Sequence, residues 1–189
     1  LPGYPQVLEK LPKTKVALEV PSLFGGPATL RACVMDGLDL LVLDAPHLFD
    51  RPGNIYLGPD GKDWPDNDRR FAALSFVGAR IAKGSLEDGW APRIVHCHDW
   101  QAGLVPTYLG DAADRPATVL SVHNIAFQGL CSPDLIGPLG LDAALFTPEG
   151  FEYWGNIGFL KAGIALSQKI TTVSPTYARE ITEPEFGMG

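Results

Sequence analysis

The stretch Arg93-Ile94-Val95-His96-Cys97-His98-Asp99-Trp100 decides the fold. Its first four residues form a short apolar run of strand type, and the residues from Trp100 to Leu109 read as helical despite Pro106. The same pattern returns downstream. Val119-Leu120-Ser121-Val122 is a second buried strand, Phe159 to Leu166 a helix, and Ile170-Thr171-Thr172-Val173 a third strand. Ser174-Pro175 then opens a helix as N-cap and first helical residue. Short β-branched strands alternating with helices predict an α/β fold with a parallel sheet. Ligands of such sheets bind in the crevice beyond the carboxyl ends of the strands.

The residues before this stretch have a different character. Lys15 to Val20 reads as a strand ending at Pro21, and Ala28 to Met35 as another. Asp36-Gly37 is a hairpin turn signal before a third strand, Leu38 to Leu43. Together they predict a small meander. Asp44 to Asp66, rich in Pro, Gly, Asn and Asp, reads as one long loop, and loops of that length in compact domains are commonly functional. Asp66 or Asn67 caps a helix running to about Lys83, with Phe71, Leu74, Phe76, Val77 and Ile81 as its apolar stripe. No internal repeat is visible.

Composition narrows the function classes. The 189 residues carry 15 Lys and Arg against 22 Asp and Glu, a net charge of −7. With no basic cluster, neither nucleic acid nor an anionic membrane is an expected partner. No apolar run approaches the ~18 residues of a membrane span. Cys33, Cys97 and Cys131 are odd in number and widely spaced, which fits neither a disulfide framework nor a zinc pattern and points to a reducing, cytoplasmic location, with a plastid-like compartment as the alternative. G-x-G-x-x-G, Walker A, G-x-S-x-G and H-E-x-x-H are all missing from the sequence, so dinucleotide oxidoreductases, P-loop ATPases, serine hydrolases and zinc proteases lose their motif.

Four constellations carry candidate chemistry. His96-Cys97-His98-Asp99-Trp100 places ionisable groups at a strand end. Alternation puts Cys97 on the opposite face from His96 and His98, which argues against a metal site. Asp99 caps the next helix, faces the crevice, or does both. His123-Asn124, in Val122-His123-Asn124-Ile125-Ala126-Phe127-Gln128-Gly129, offers hydrogen-bond donors to a hydroxyl-rich ligand, or else satisfies its own loop. Ser174-Pro175-Thr176-Tyr177 either receives an anion or, as preferred, is a plain N-cap. The loop Asp44 to Tyr56 combines aromatic, charged and amide groups of the kind that suit carbohydrate, and is otherwise a surface loop in which a pair such as Asp50–Arg51 has no special role.

Jointly the motifs are more specific. With Leu1-Pro2-Gly3-Tyr4-Pro5, Pro21-Ser22-Leu23-Phe24-Gly25-Gly26, Gly158-Phe159-Leu160-Lys161-Ala162-Gly163-Ile164 and Ile170 to Ile181, the chain resembles, over essentially its whole length, bacterial glycogen synthases and the related starch synthases. The resemblance implies a Rossmann-like, mostly parallel sheet with flanking helices, the N-terminal lobe of a two-lobed GT-B type glycosyltransferase. It also implies transfer of glucose from ADP-glucose to the non-reducing end of an α-1,4-glucan, with retention and without a metal or other cofactor. By motif, His123 lies beside the donor glucose and Asn124 assists from the same loop. Asp99 sits at the cleft floor, Trp100 shapes the acceptor channel, and Tyr56 contacts sugar or acceptor from the long loop. Lys161 is a charge at the surface or cleft edge.

Residues 1–189 are expected to be an incomplete N-terminal lobe. The family's K-x-G-G-L phosphate loop and its C-terminal nucleotide-binding lobe have no counterpart in them, and no Arg/Lys pair stands ready for the departing diphosphate. Such a chain is expected to be inactive alone and to leave a sheet edge unpaired. Cys97, where the family often has Ala, and Ser167-Gln168, where Ala-Asp is usual, are minor departures. Two other readings are a non-catalytic glucan-binding module and a related glycosyltransferase using another nucleotide sugar.

Overall fold

A computed structural model describes residues 1–187; Met188 and Gly189, the last residues of the expected lobe, lie outside the described residues. After a short helix α1 (Pro5–Leu8), strands β1 (Lys15–Leu23), β2 (Gly26–Met35) and β3 (Leu38–Asp44) form an antiparallel meander in that order. The turn between β2 and β3 is the expected one. Asp36 and Gly37 both take positive φ, 53° and 80°, the conformation whose twist matches a two-residue hairpin. β1 does not end at Pro21 but runs on to Leu23. Pro21 falls in a register shift between Val20 and Leu23, on an edge strand, where a missing N–H breaks no ladder.

The long loop is better anchored than its composition suggests. It holds a one-turn helix α2 (Pro46–Phe49), whose Leu48 and Phe49 are fully buried, and a bridge between Leu57 and Asp63. Arg51 does not idle beside Asp50. Its guanidinium grips both carboxylate oxygens of Asp66 at 2.5 Å, donates to the His47 carbonyl at 2.9 Å, and lies 5.0 Å from the Trp64 ring centroid. The loop's two ends are thereby tied together.

Helix α3 (Asn67–Ala82) is the central beam. Ala73 and Val77 pack against the meander, Phe71 and Ala72 against residues of the chain's last third, and Ala79 and Ala82 against the parallel sheet. That sheet joins β4 (Ile94–His98), β5 (Ala117–Val122) and β9 (Lys169–Thr172) in the order β4-β5-β9, all parallel. Among the described residues β4 and β9 pair on one side only. The segment read as one helix from Trp100 splits into a 3-10 turn, Trp100–Ala102, and helix α4 (Val105–Leu109). Pro106 is tolerated in the first turn of α4, where a backbone N–H would have no partner within the helix. A third, small antiparallel sheet is formed by β6 (Leu130–Cys131), β8 (Asn156–Gly158) and β7 (Glu152–Tyr153). Helix α5 (Phe159–Leu166) leads back to β9, and α6 (Pro175–Glu180) follows it. The departure at Gln168 has a structural role: its Oε1 accepts from the backbone N–H and hydroxyl of the buried Thr118.

Candidate active site

The site lies where the parallel strands end. Cys97 is buried on the core face of β4, and His96 and His98 are exposed on the other, as strand alternation requires. A polar row crosses that outer face: His96 Nε2 to Ser121 Oγ at 2.7 Å, and Ser121 Oγ to Thr171 Oγ1 at 2.7 Å. Burial pushes the Cys97 thiol up to about 11, so it is an inert apolar filler. Among the described residues no group of three His, Cys, Asp or Glu side chains is arranged to hold a metal ion.

Asp99, immediately beyond β4, takes φ 52° and ψ −165°, a left-handed backbone that costs a non-glycine residue about 1–3 kcal/mol. It stands at the N-cap position of the Trp100–Ala102 turn but its side chain makes no capping bond. The carboxylate crosses to the end of β5. Its Oδ1 accepts the backbone N–H of His123 at 2.7 Å and, more loosely, that of Asn124 at 3.4 Å. Of the two readings, the crevice-facing one describes the structure.

The His123 loop has two further supports. Tyr177, the third residue of α6, accepts the Ile125 N–H on its hydroxyl at 2.9 Å. Ser174 accepts the Tyr177 N–H at 3.0 Å, so the preferred N-cap reading holds, and the cap steadies a residue that supports the crevice loop. The His123 ring turns to His98, Nδ1 of His98 lying 2.9 Å from its Nε2, with the rings stacked at 5.2 Å. The His98 imidazole is held below its ordinary value, first by desolvation, then by His96 and His123, with Asp99 opposing.

A groove of about 900 Å³ opens on the other side of Asp99, lined among others by Tyr56, Trp64, Trp100, Asn124 and Phe127. Four of the five site residues expected from sequence, Tyr56, Asp99, Trp100 and Asn124, line this one groove. The His123 ring does not; its main chain is what Asp99 joins to the groove floor. Tyr56 lies 6.3 Å from Trp100, and both pack on Phe71 of α3, at 5.8 and 4.7 Å between ring centroids. Gly129 makes room for Trp100: with φ +62°, a Cβ there would lie 2.4 Å from the indole Cε3. Gly103 does the same for the turn as a whole, since its Cβ would lie 2.1 Å from the Phe159 carbonyl oxygen.

Sequence reasoning missed Gln101 and Asn67. Gln101 Nε2 donates to the Tyr56 hydroxyl at 2.7 Å, and Asn67 Nδ2 to the Tyr56 carbonyl at 3.0 Å. A signal existed only for Gln101, an amide directly after Trp100 at a strand end. Asp68, also in the groove wall, has its carboxyl raised above the usual range, mainly by burial. The groove thus offers aromatic faces beside amides and carboxylates, the mixture that pyranose rings with apolar C–H faces and equatorial hydroxyls require.

Comparison with known proteins agrees with this geometry. Residues 1–189 match the family model described as the starch synthase catalytic domain. The chain is 62% identical over 190 aligned residues to a glycogen synthase of Roseobacter denitrificans and 58% identical to one of Paracoccus denitrificans, in each case covering 100% of the chain and 40% of the relative. The chain therefore spans about two fifths of the length of the curated relatives it matches. Among solved structures, the catalytic domain of starch synthase IV from Arabidopsis thaliana, bound to ADP and acarbose, superposes with a TM-score of 0.70 at 26% identity, over 94% of this chain and 36% of that one. The expected α/β fold of GT-B type, with its parallel sheet, is the one observed. Motif order, fold and whole-chain identity converge: the chain belongs to the starch synthase catalytic domain family.

Proposed function

We propose that the chain is the partial N-terminal, sugar- and acceptor-binding lobe of a glycogen synthase, which transfers glucose from ADP-glucose to the non-reducing end of an α-1,4-glucan with retention. The observation that carries the reading is the single groove in which Tyr56, Trp100, Asp99 and Asn124 meet, at the carboxyl end of β4 and β5. Relatives named glycogen synthase, and a neighbour bound to ADP and acarbose, support it.

In this reading the ring faces of Tyr56 and Trp100 take the acceptor sugars. The Asp99 carboxylate fixes the main chain of His123 and Asn124 so that the loop meets the hydroxyls of the donor glucose. Breaking the bond from the anomeric carbon to the diphosphate builds positive charge on the sugar ring, as in glycoside hydrolysis. Fixed dipoles and hydrogen bonds around that ring then lower the barrier without reorganising. The departing diphosphate needs cations, and the two arginines flanking the groove's loop are not free. Arg51 is held by Asp66, and Arg70 is buried with its own partners. In this reading the phosphate-binding groups come from the rest of the enzyme, and the 189-residue chain alone is expected to be inactive.

No helix among the described residues is long and apolar enough to cross a membrane, and three free thiols fit a reducing cytoplasm. The test is incorporation of labelled glucose into maltoheptaose by the full-length protein, with ADP-glucose and UDP-glucose as rival donors. Transfer from ADP-glucose is expected, with none by the isolated chain. Preference for UDP-glucose would overturn the donor, and maltoheptaose binding without transfer would make the protein a glucan-binding module.

A further inference from the structure

The three-stranded sheet β6-β8-β7 forms one wall of the groove, with Leu130 and Cys131 of β6 and Tyr153 of β7 among the lining residues. β7 and β8 are joined by a two-residue turn, Trp154-Gly155, with φ 49° and 79°. The first position of such a turn belongs to Asn, Asp or Gly, and a bulky residue with positive φ there is a genuine outlier. Trp154 does not recover this cost by burial, because it is 81% exposed. Local bonds hold the turn in place: Glu152 Oε1 accepts the Gly155 N–H at 2.7 Å, and Asn156 Nδ2 donates to the Trp154 carbonyl at 3.2 Å. The indole stands edge-on to Tyr153, ring centroids 6.4 Å apart. Phe127, 62% exposed, is an uncovered ring in the groove wall that Tyr153 also lines. Neither packing nor backbone preference accounts for Trp154, and strain of this kind collects at ligand-binding positions.

We propose that Trp154 is an outer sugar platform of the groove, stacking its indole on a glucose unit of the α-1,4-glucan beyond those held at Tyr56 and Trp100. This deepens the acceptor reading above and rests on it. The occupant is a glucan because the groove lined by its neighbour Tyr153 already combines aromatic faces with amides and carboxylates, and because a polymeric acceptor must leave that groove across its rim. Trp154 then sets how strongly long acceptors are preferred over short ones.

The experiment measures kcat/KM of the full-length protein for maltoheptaose and for maltotriose, in wild type and in Trp154→Ala, Trp154→Asn and Trp154→Phe. Asn tolerates the left-handed turn, so Trp154→Asn separates loss of the ring from loss of the fold. The ratio of maltoheptaose to maltotriose efficiency is expected to fall about three- to tenfold in the Ala and Asn variants, through KM, and to survive largely in the Phe variant. An unchanged ratio overturns the proposal, as does an equal loss on both acceptors, which would instead mark Trp154 as a contact between lobes. If the wild type transfers no glucose at all, the functional reading fails. The platform is then judged by titrating maltoheptaose directly, where equal affinity of wild type and Trp154→Asn sinks it.

Discussion

The carboxylate of Asp99 accepts the backbone N–H of His123 at 2.7 Å, tying the ends of two neighbouring parallel strands through a side chain. The tie depends on an unfavourable backbone, φ 52° at Asp99. Substitutions separate the two. Asp99→Ala keeps the strain and loses the bond, so a stability loss of about 1–3 kcal/mol is expected in thermal or urea unfolding. Asp99→Gly loses the same bond but relieves a strain of about 1–3 kcal/mol, so it should melt nearer the wild type. On the proposed function, both should lower kcat/KM of the full-length protein for ADP-glucose. A Gly variant as active as wild type would show that the bond does not position the loop.

Gly129 and Trp100 form a second dependent pair. A methyl at residue 129 collides with the indole ring itself, and the φ of +62° adds strain for any side chain. Gly129→Ala should therefore push Trp100 off Phe71 and Tyr56, at a cost of about 1–3 kcal/mol. The expected signature is a changed near-ultraviolet circular dichroism spectrum and, on the proposed function, a raised KM for the glucan acceptor. An unchanged spectrum would mean that Trp100 is not seated by this glycine.

These pairs show what the sequence makes legible and what it hides. The hairpin at Asp36-Gly37, the strand ends at Asp99 and His123 and the N-cap at Ser174 are local, and local chemistry reveals them. Gln101 reaches Tyr56 across 45 residues, and Arg51 passes over its neighbour Asp50 for Asp66. Such partners are chosen by the packing of α3 and α2, which no nearby residue announces. The positive φ of Asp99 is hidden for a related reason: outside a turn signal such as Asp36-Gly37 an aspartate does not announce that conformation, and here the backbone is held in it by the contacts around it. The break at Gly103 is hidden too, because the group it makes room for, the Phe159 carbonyl, lies far along the chain.

The stacked histidines predict a pH response. His98 is held below its ordinary value near 6.5 by desolvation and by His96 and His123, against a smaller opposing pull from Asp99. The unfolded chain then binds more protons than the folded one between the depressed value and 6.5, so stability rises with pH across that window. On acidification, stability should begin to fall near pH 6.5 and continue falling until His98 titrates in the folded protein. His98→Gln should flatten this slope in a series of melts between pH 5 and 8, while leaving acid unfolding driven by carboxylates at lower pH. An identical slope in wild type and variant would remove His98 as its source.

Arg70 offers the last test, because it links fold and groove. It is 1% exposed, yet among the described residues no carboxylate hydrogen-bonds to it. Nε donates to the Leu48 carbonyl at 2.8 Å and Nη1 to Asn67 Oδ1 at 2.6 Å, while the guanidinium lies 5.6 to 6.0 Å from the ring centroids of Tyr4, Phe49 and Phe71. Burial lowers its pKa, but a guanidinium remains charged. One planar group thus joins the end of α2 to the start of α3, and Asn67 in turn holds the Tyr56 carbonyl. Arg70→Met keeps most of the volume and leaves the Leu48 carbonyl without its donor, a loss of about 1–3 kcal/mol. Arg70→Lys keeps the charge, but an ammonium replaces a fork that meets two acceptors at once, so it should also melt below wild type. Because Asn67 steadies Tyr56, on the proposed function both variants should raise the acceptor KM more than they lower kcat. If Arg70→Met melts with the wild type, the buried guanidinium does not hold the loop. If it melts lower with the acceptor KM unmoved, Arg70 supports the fold alone.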